Sequence, residues 1–370
     1  MAIHLIQCFR SMDSTTCDCH QLLGSKPNRE VIMNEERKDQ EEIDRDFDHK
    51  NTCMEWEAIL PTLPKQKGWM GNHLVQYQGV WLSLSGLKGV MLARDHFKSL
   101  PTDIFLSTSP KAGTTWFKAI LFTIMNRRNY QFSSHPLLTT NPHDLVLFIE
   151  AMFDQTTFPS PVKDDISSPR LLSTHMPYSL LPNSIKTSGC RIVYVCRDPK
   201  DALISQWQYL KKLRPKEMPP LLLEEAFELF RDGVSHFGPF WDHSLGYYRA
   251  SQESPKKVLV LTYEAMMVDP TVNIKRLADF IGHPLDPEEE SGGVVERMVS
   301  LCSFENLSSL EVNKSGVQQF TAQFKVPNSN FFRKGQIGDW RNHLTPTMAE
   351  SLNKISKESF GGSDLEFLYS

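Results

Sequence analysis

Four short apolar runs stand out along the chain, at residues 103–107, 170–174, 191–196 and 257–263. Each is rich in Ile, Leu, Val or aromatic residues and is bounded by Pro, Gly or charge, as strands buried on both faces are. Between them, apolar residues recur at helical spacing over residues 115–128, 201–213 and 222–249. Strands alternating with helices predict a parallel sheet with helices on both faces. An amphipathic helix is expected to open the folded part near Trp56 and to stop at Pro61 and Pro64. Residues 213–220 are Pro-rich and read as a surface loop. The polar stretch 311–331, with its scattered Phe, reads as a long, partly mobile loop.

Residues 35–50 form a dense mixed-charge run with few apolar positions. The chain therefore divides into an N-terminal extension over residues 1–52, expected to be disordered, and a single α/β domain over residues 53–370. A hydrophobic share of 40% and a charged share of 23% are ordinary for a globular protein. The net charge of −4 carries no basic excess that would point to nucleic acid, so any anion site must be built locally. The seven cysteines form no disulfide framework and suit a reducing, cytoplasmic setting. Cys17, Cys19 and His20 lack a second ligand pair at zinc spacing, so no metal site is expected. No apolar run is long enough to span a bilayer, and the first residues do not read as a secretory leader.

The chemistry is carried by strand ends. The run DIFLSTSPKAGTTWFKAILFTIM passes from an apolar strand through a turn into an apolar helix. Gly113 permits a tight path, and the unpaired N–H groups of the helix start make an anion site to which Lys111, Thr114 and Thr115 add charge and donors. The loop is P-loop-like but is not a Walker A motif, which needs Gly where Thr108 stands and Lys where Thr114 stands. By itself the turn points to phosphate only modestly more than to a plain strand-to-helix connection. In SPRLLSTHMPYSLLP, a strand delivers His175 at its carboxyl end, where open α/β sheets place ligands and where an imidazole can move protons. In CRIVYVCRDPKDALISQW, the strand ends at Arg197, and Ser205 lies about two turns along the next helix. In NFFRKGQIGDWRNHLT, Arg333 and Lys334 precede Gly335, which lets backbone approach an anion closely.

These four segments, in this order, resemble those of the plant cytosolic (soluble) sulfotransferases, and the resemblance extends from about Leu60 to the C-terminus. It implies a P-loop-like parallel sheet in one α/β domain and 3′-phosphoadenosine-5′-phosphosulfate as the co-substrate. PKAGTTW resembles the family's 5′-phosphosulfate loop (Lys111, Ala112, Gly113, Thr114, Thr115, Trp116), with Ala112 where Ser or Thr is usual. His175 corresponds to the general base, Lys111 to the residue on the bridging oxygen, and Arg197 with Ser205 to one half of the 3′-phosphate clamp. Arg333, Lys334 and Gly335 correspond to its other half. Trp116, Tyr263 and Phe304 correspond to the adenine-contacting aromatics. Ser173 stands where animal members carry Lys, a difference that plant members share.

Phe148, Met152, Phe153, Phe158 and Tyr209 fall where the family lines its acceptor pocket. They suit a small organic hydroxyl compound, with a flavonoid or phenol favoured over a hydroxyjasmonate or brassinosteroid. Pro346 interrupts the segment Arg341, Thr345, Glu350 through which animal relatives pair, so a monomer or weak homodimer is expected. Two other readings stay open: a P-loop kinase of small molecules, and a non-catalytic binder of an anion or hormone on the same fold.

Overall fold

The computed structural model describes residue 56, residues 58–153, 168–320 and 324–363, and residue 365. The expected extension at residues 1–52 lies outside them. The helix expected from Trp56 is short and closes in a 3₁₀ turn over Leu60–Thr62. An antiparallel meander that the hydrophobic pattern did not announce follows, formed by β1 (Lys65–Lys67), β2 (His73–Tyr77) and β3 (Val80–Leu82). Strand β1 is exposed along its whole length and so carries no apolar signal. Gln78 and Gly79, at φ 48° and 82°, make the two-residue turn between β2 and β3, a geometry that matches strand twist.

The central sheet is built from β4 (Ile104–Thr108), β5 (Leu171–Thr174), β6 (Arg191–Cys196) and β7 (Val258–Thr262). All pairings are parallel, in the order β5-β4-β6-β7. Every residue of β4 is buried, and alternate side chains enter different cores. Phe105 on β4 and Ile192, Tyr194 and Cys196 on β6 pack on one side, against α1 (Leu84–His96), α3 (Pro199–Leu213) and α5 (Phe240–Glu253). Leu106 on β4 and Val193 and Val195 on β6 pack on the other, against α2 (Thr114–Asn126) and α6 (Pro270–Ile281). Period-two alternation thus serves two apolar layers at once, which is why these strands read as continuous hydrophobic runs.

Two sequence expectations fail in the connections. The helical pattern over residues 222–249 is two helices, α4 (Leu223–Arg231) and α5, parted by Gly233 at φ 80° and by Pro239. The stretch 311–331 is largely regular, not a loop. A short helix at Glu311–Ser315 leads into the hairpin β8 (Val317–Gln319) and β9 (Lys325–Pro327), then a 3₁₀ turn at Asn328–Phe331. Two further helices, α7 (Val294–Leu301) and α8 (Pro346–Phe360), complete the long elements.

In the sheet β4 lies between β5 and β6, so the connection from β4 to β5 and the one from β6 to β7 run in opposite directions. The carboxyl ends of β4 and β6 therefore flank the crevice at which open α/β sheets bind ligands. Helix α2 starts at that crevice from Gly113, whose φ is 107°. A Cβ on Gly113 would lie 2.7 Å from the Tyr263 ring, whereas one on Gly79 would meet nothing within 4 Å. Both positions hold left-handed backbone, which costs an L-residue about 1–2 kcal/mol. Gly79→Ala is expected to lose that much, and Gly113→Ala a further amount of about 1–3 kcal/mol from overpacking. Urea unfolding of the two variants measures the difference; equal losses would contradict the close approach of Tyr263 to the loop.

Candidate active site

The loop after β4 turns sharply, with Lys111 at φ 68° and Gly113 at φ 107°. Lys111, Gly113, Thr114, Thr115 and Trp116 all line a cavity of about 820 Å³. Ala112 does not: it is fully buried, and its N–H turns back onto the Ser109 carbonyl at 3.2 Å. The Lys111 amine sits over the Tyr209 ring, 4.0 Å from its centroid. Burial at the cavity wall, with Arg197, Arg333 and Lys212 nearby, lowers its pKa to about 7. The Thr114 hydroxyl points inward, 2.7 Å from that of Thr108, while Thr115 Oγ1 lies 2.9 Å from His143 Nε2.

His175 leaves the end of β5 and faces the same cavity. Its Nδ1 lies 2.8 Å from the Thr108 carbonyl oxygen, a contact that only an N–H donor satisfies. The proton is thereby fixed on Nδ1, and the Nε2 lone pair is left for the cavity. The backbone holds the residue from both ends: its N–H donates to Glu150 Oε1 at 2.7 Å, and its carbonyl accepts from His243 Nε2 at 3.0 Å. Desolvation outweighs the Thr108 hydrogen bond and holds the pKa at about 3, so the ring is neutral throughout the physiological range.

From the end of β6, Arg197 donates to the Lys111 carbonyl at 3.2 Å and to the Gln336 carbonyl at 3.0 Å, and its guanidinium lies 4.4 Å from the Tyr263 ring centroid. Its buried Nε finds no partner among the described residues. Ser205, from α3, lines the cavity beside it. The segment 333–335 comes from far along the chain and is tied in by carboxylates. Asp201, in the first turn of α3, accepts from Gly338 N at 2.6 Å and Trp340 N at 3.0 Å. Asp339 accepts from both Arg333 and Lys334 at 2.5 Å. Side-chain hydrogen bonds from Lys334, Arg333 and Asn342 outweigh its desolvation, so its carboxyl stays well below the usual carboxylate range. Gly335 has φ 62°, and a Cβ there would meet the Phe304 ring at 2.5 Å. Tyr263 and Trp116 meet edge to face at 5.4 Å.

Of the residues expected at an acceptor pocket, Phe148 and Tyr209 line the cavity, and Phe148 lies 4.6 Å from the His175 ring. Met152 and Phe153 are buried in the core beside it and do not line it. Phe158 lies outside the described residues. Aromatics that sequence reading did not assign also face the cavity, among them Phe237, Phe320, Phe324 and Phe331. The Gly233–Pro239 break could have disclosed Phe237, whereas the others depend on a hairpin without an apolar run. Among the described residues, no group of three His, Cys, Asp or Glu is placed to hold a metal ion, and no helix is long and apolar enough to cross a membrane.

The fold recurs in known proteins. The crystal structure of an Arabidopsis thaliana sulphotransferase superposes with a TM-score of 0.65 at 37% identity, over 83% of this chain and 93% of that one. A mouse sulfotransferase complexed with PAP gives 0.61 at 25% identity, over 80% and 97%. In sequence, cytosolic sulfotransferase 13 of Arabidopsis thaliana is 44% identical over 85% of this chain and 94% of its own length. Flavonol 3-sulfotransferase of Flaveria bidentis is 43% identical over 84% and 99%. Residues 101–364 match the sulfotransferase domain. The chain belongs to the plant cytosolic sulfotransferase family.

Proposed function

We propose that this protein transfers a sulfuryl group from 3′-phosphoadenosine-5′-phosphosulfate to a hydroxyl of a flat phenolic acceptor, a flavonoid before a steroid or fatty alcohol, and does so in the cytoplasm as a monomer or weak dimer. One observation carries the reading: a cationic loop residue, Lys111, and a neutral imidazole with its Nε2 free, His175, share one cavity with Arg197 and Arg333. The donor's 5′-phosphate would lie on the start of α2, against Gly113, Thr114 and Thr115. Its 3′-phosphate would lie between Arg197, Ser205 and the Arg333–Gly335 turn, and its adenine among Trp116, Tyr263 and Phe304. The unpartnered Arg197 Nε is an N–H that such an anion would satisfy.

The acceptor oxygen attacks sulfur as its proton passes to His175 Nε2. The bond between sulfur and the bridging oxygen breaks, its electron pair leaves on the 5′-phosphate, and Lys111 donates to that oxygen as charge gathers there. The products are a sulfate ester and 3′,5′-diphosphoadenosine. A flat acceptor is supported by the aromatic wall of Phe148, Tyr209, Phe237 and Phe331, and by the similarity to the Flaveria enzyme, whose name specifies a flavonol.

His175→Ala is expected to fold, to bind 3′,5′-diphosphoadenosine as before, and to lose about 10²–10⁴-fold in kcat. Transfer of labelled sulfate to a panel of flavonols, simple phenols and aliphatic alcohols measures this. Normal turnover by the variant would remove His175 as base. Nucleotide binding without transfer to any acceptor of the panel would favour a non-catalytic binder. A second expectation concerns pH. Lys111 is largely uncharged above its pKa of about 7 in the empty protein, while a bound phosphate restores its charge. Binding of 3′,5′-diphosphoadenosine at pH 8 therefore takes up a proton, and affinity declines as pH rises from 7. Calorimetry in buffers of different ionisation enthalpy reads the uptake, and its absence would contradict the coupling.

A further inference from the structure

A chain of buried polar groups runs beneath the phosphate loop and takes no part in the reaction as written above. Lys118, on α2, is fully buried. Its Nζ lies 3.0 Å from His143 Nδ1, 2.7 Å from the Val146 carbonyl oxygen and 3.5 Å from the centroid of the Phe148 ring. The carbonyl can only accept, and the Lys118 amine, charged or neutral, has N–H groups enough to donate to both the Val146 carbonyl oxygen and His143 Nδ1. Burial lowers the Lys118 pKa well below its ordinary value, a shift that the carboxylates of Glu150 and Asp144 offset only in part.

With Nζ donating to both partners, His143 Nδ1 accepts. Desolvation, with Lys118, His175 and Lys111 as neighbours, keeps His143 well below the usual imidazole range, so the ring is neutral and its one proton sits on Nε2. That nitrogen lies 2.9 Å from Thr115 Oγ1, which must then accept. The hydroxyl's own hydrogen is free to point forward, into the cavity that Thr115 lines. Hydrogen bonds aligned in one direction polarise one another, so the terminal O–H becomes a better donor than a lone threonine would be.

We propose that Lys118 and His143 are positioning residues of the donor site: through a fixed His143 tautomer they make the Thr115 hydroxyl a one-way donor to the 5′-phosphate end of the bound nucleotide. The proposal rests on the reading of this cavity as an adenosine phosphosulfate site. In the reversed arrangement, a neutral amine would accept from Nδ1–H, Nε2 would accept from Thr115, and the hydroxyl would offer the phosphate a lone pair in place of a hydrogen.

Nitrogen NMR of the full chain, labelled at histidine, separates the two arrangements without any substitution. The Nε2–H tautomer of His143 is expected, and an Nδ1–H tautomer or an imidazolium overturns the proposal. Calorimetric affinity for 3′,5′-diphosphoadenosine then tests the coupling in the wild type, Thr115→Val, His143→Phe and the double variant. Each single change is expected to weaken binding about tenfold, as loss of a charge-assisted hydrogen bond does, and the double variant no more than either alone. Losses that multiply, to about a hundredfold, would mean that His143 does not act through Thr115. If His143→Phe fails to fold by circular dichroism, the tautomer measurement on the wild type decides. A wild type that binds no nucleotide would defeat the donor-site reading itself, leaving the tautomer result standing separately.

Discussion

Lys111, Arg197, Arg333 and Lys334 face one cavity, and their mutual repulsion is the constraint around which the site is built. Like charges held together away from bulk water destabilise the empty protein. The fold offsets this unevenly. Arg333 and Lys334 share Asp339, and Arg197 is spread over two carbonyls and the Tyr263 ring. Lys111 rests on the Tyr209 ring, and it is this amine whose hold on a proton weakens. The least compensated cation therefore stands on the loop that would meet the reacting end of the donor.

Asp201 shows how residues far apart in sequence are made into one cradle. It opens α3 directly after the Arg197 turn, and its two oxygens hold the backbone of Gly338 and Trp340. The Arg333–Gly335 turn is thus fixed to the end of β6 by carboxylate-to-backbone bonds, while Arg197 reaches Gln336 from the same side. The Asp201 carboxylate itself is buried, which strengthens these charge-assisted hydrogen bonds and weakens their screening by salt. Asp339 then settles the two cations of that turn. Two acidic residues, neither of which lines the cavity, set where its positive charge lies.

The central strands and α2 were readable because their signal is local. A run of apolar residues ending in Gly, Pro or charge specifies β4 to within a residue at each end, since both its faces are buried. The meander at Lys65–Leu82 was not readable, because β1 is exposed, β2 does not alternate in burial and β3 has only three residues. The break at Gly233–Pro239 was present in the sequence, yet helical periodicity on both sides masked it, and Phe237 went unassigned as a result. The strand-end positions of His175 and Arg197 were readable for a geometric reason, since a parallel sheet delivers all its carboxyl ends to one edge, whereas Tyr263 was assigned through the family resemblance alone. The links that no spacing encodes are those between separate segments, such as Asp201 to Gly338 and Lys118 to His143.

Burial holds His175 and Lys111 away from their charged forms, with pKa values of about 3 and about 7. For a general base the former value looks unfavourable, since a good base sits near the operating pH. Desolvation is its main cause, and desolvation penalises an imidazolium only while nothing negative faces it. In the proposed reaction a phosphosulfate brings negative charge to that same space. That charge would favour the protonated state of both residues, making His175 a competent base and Lys111 a full cation once the proposed donor is seated. Because the Thr108 carbonyl fixes Nδ1–H whether or not a ligand is present, this gain in basicity needs no reorientation of the ring. Substrate charge, supplied at the moment of binding, completes a site whose geometry the backbone has already set.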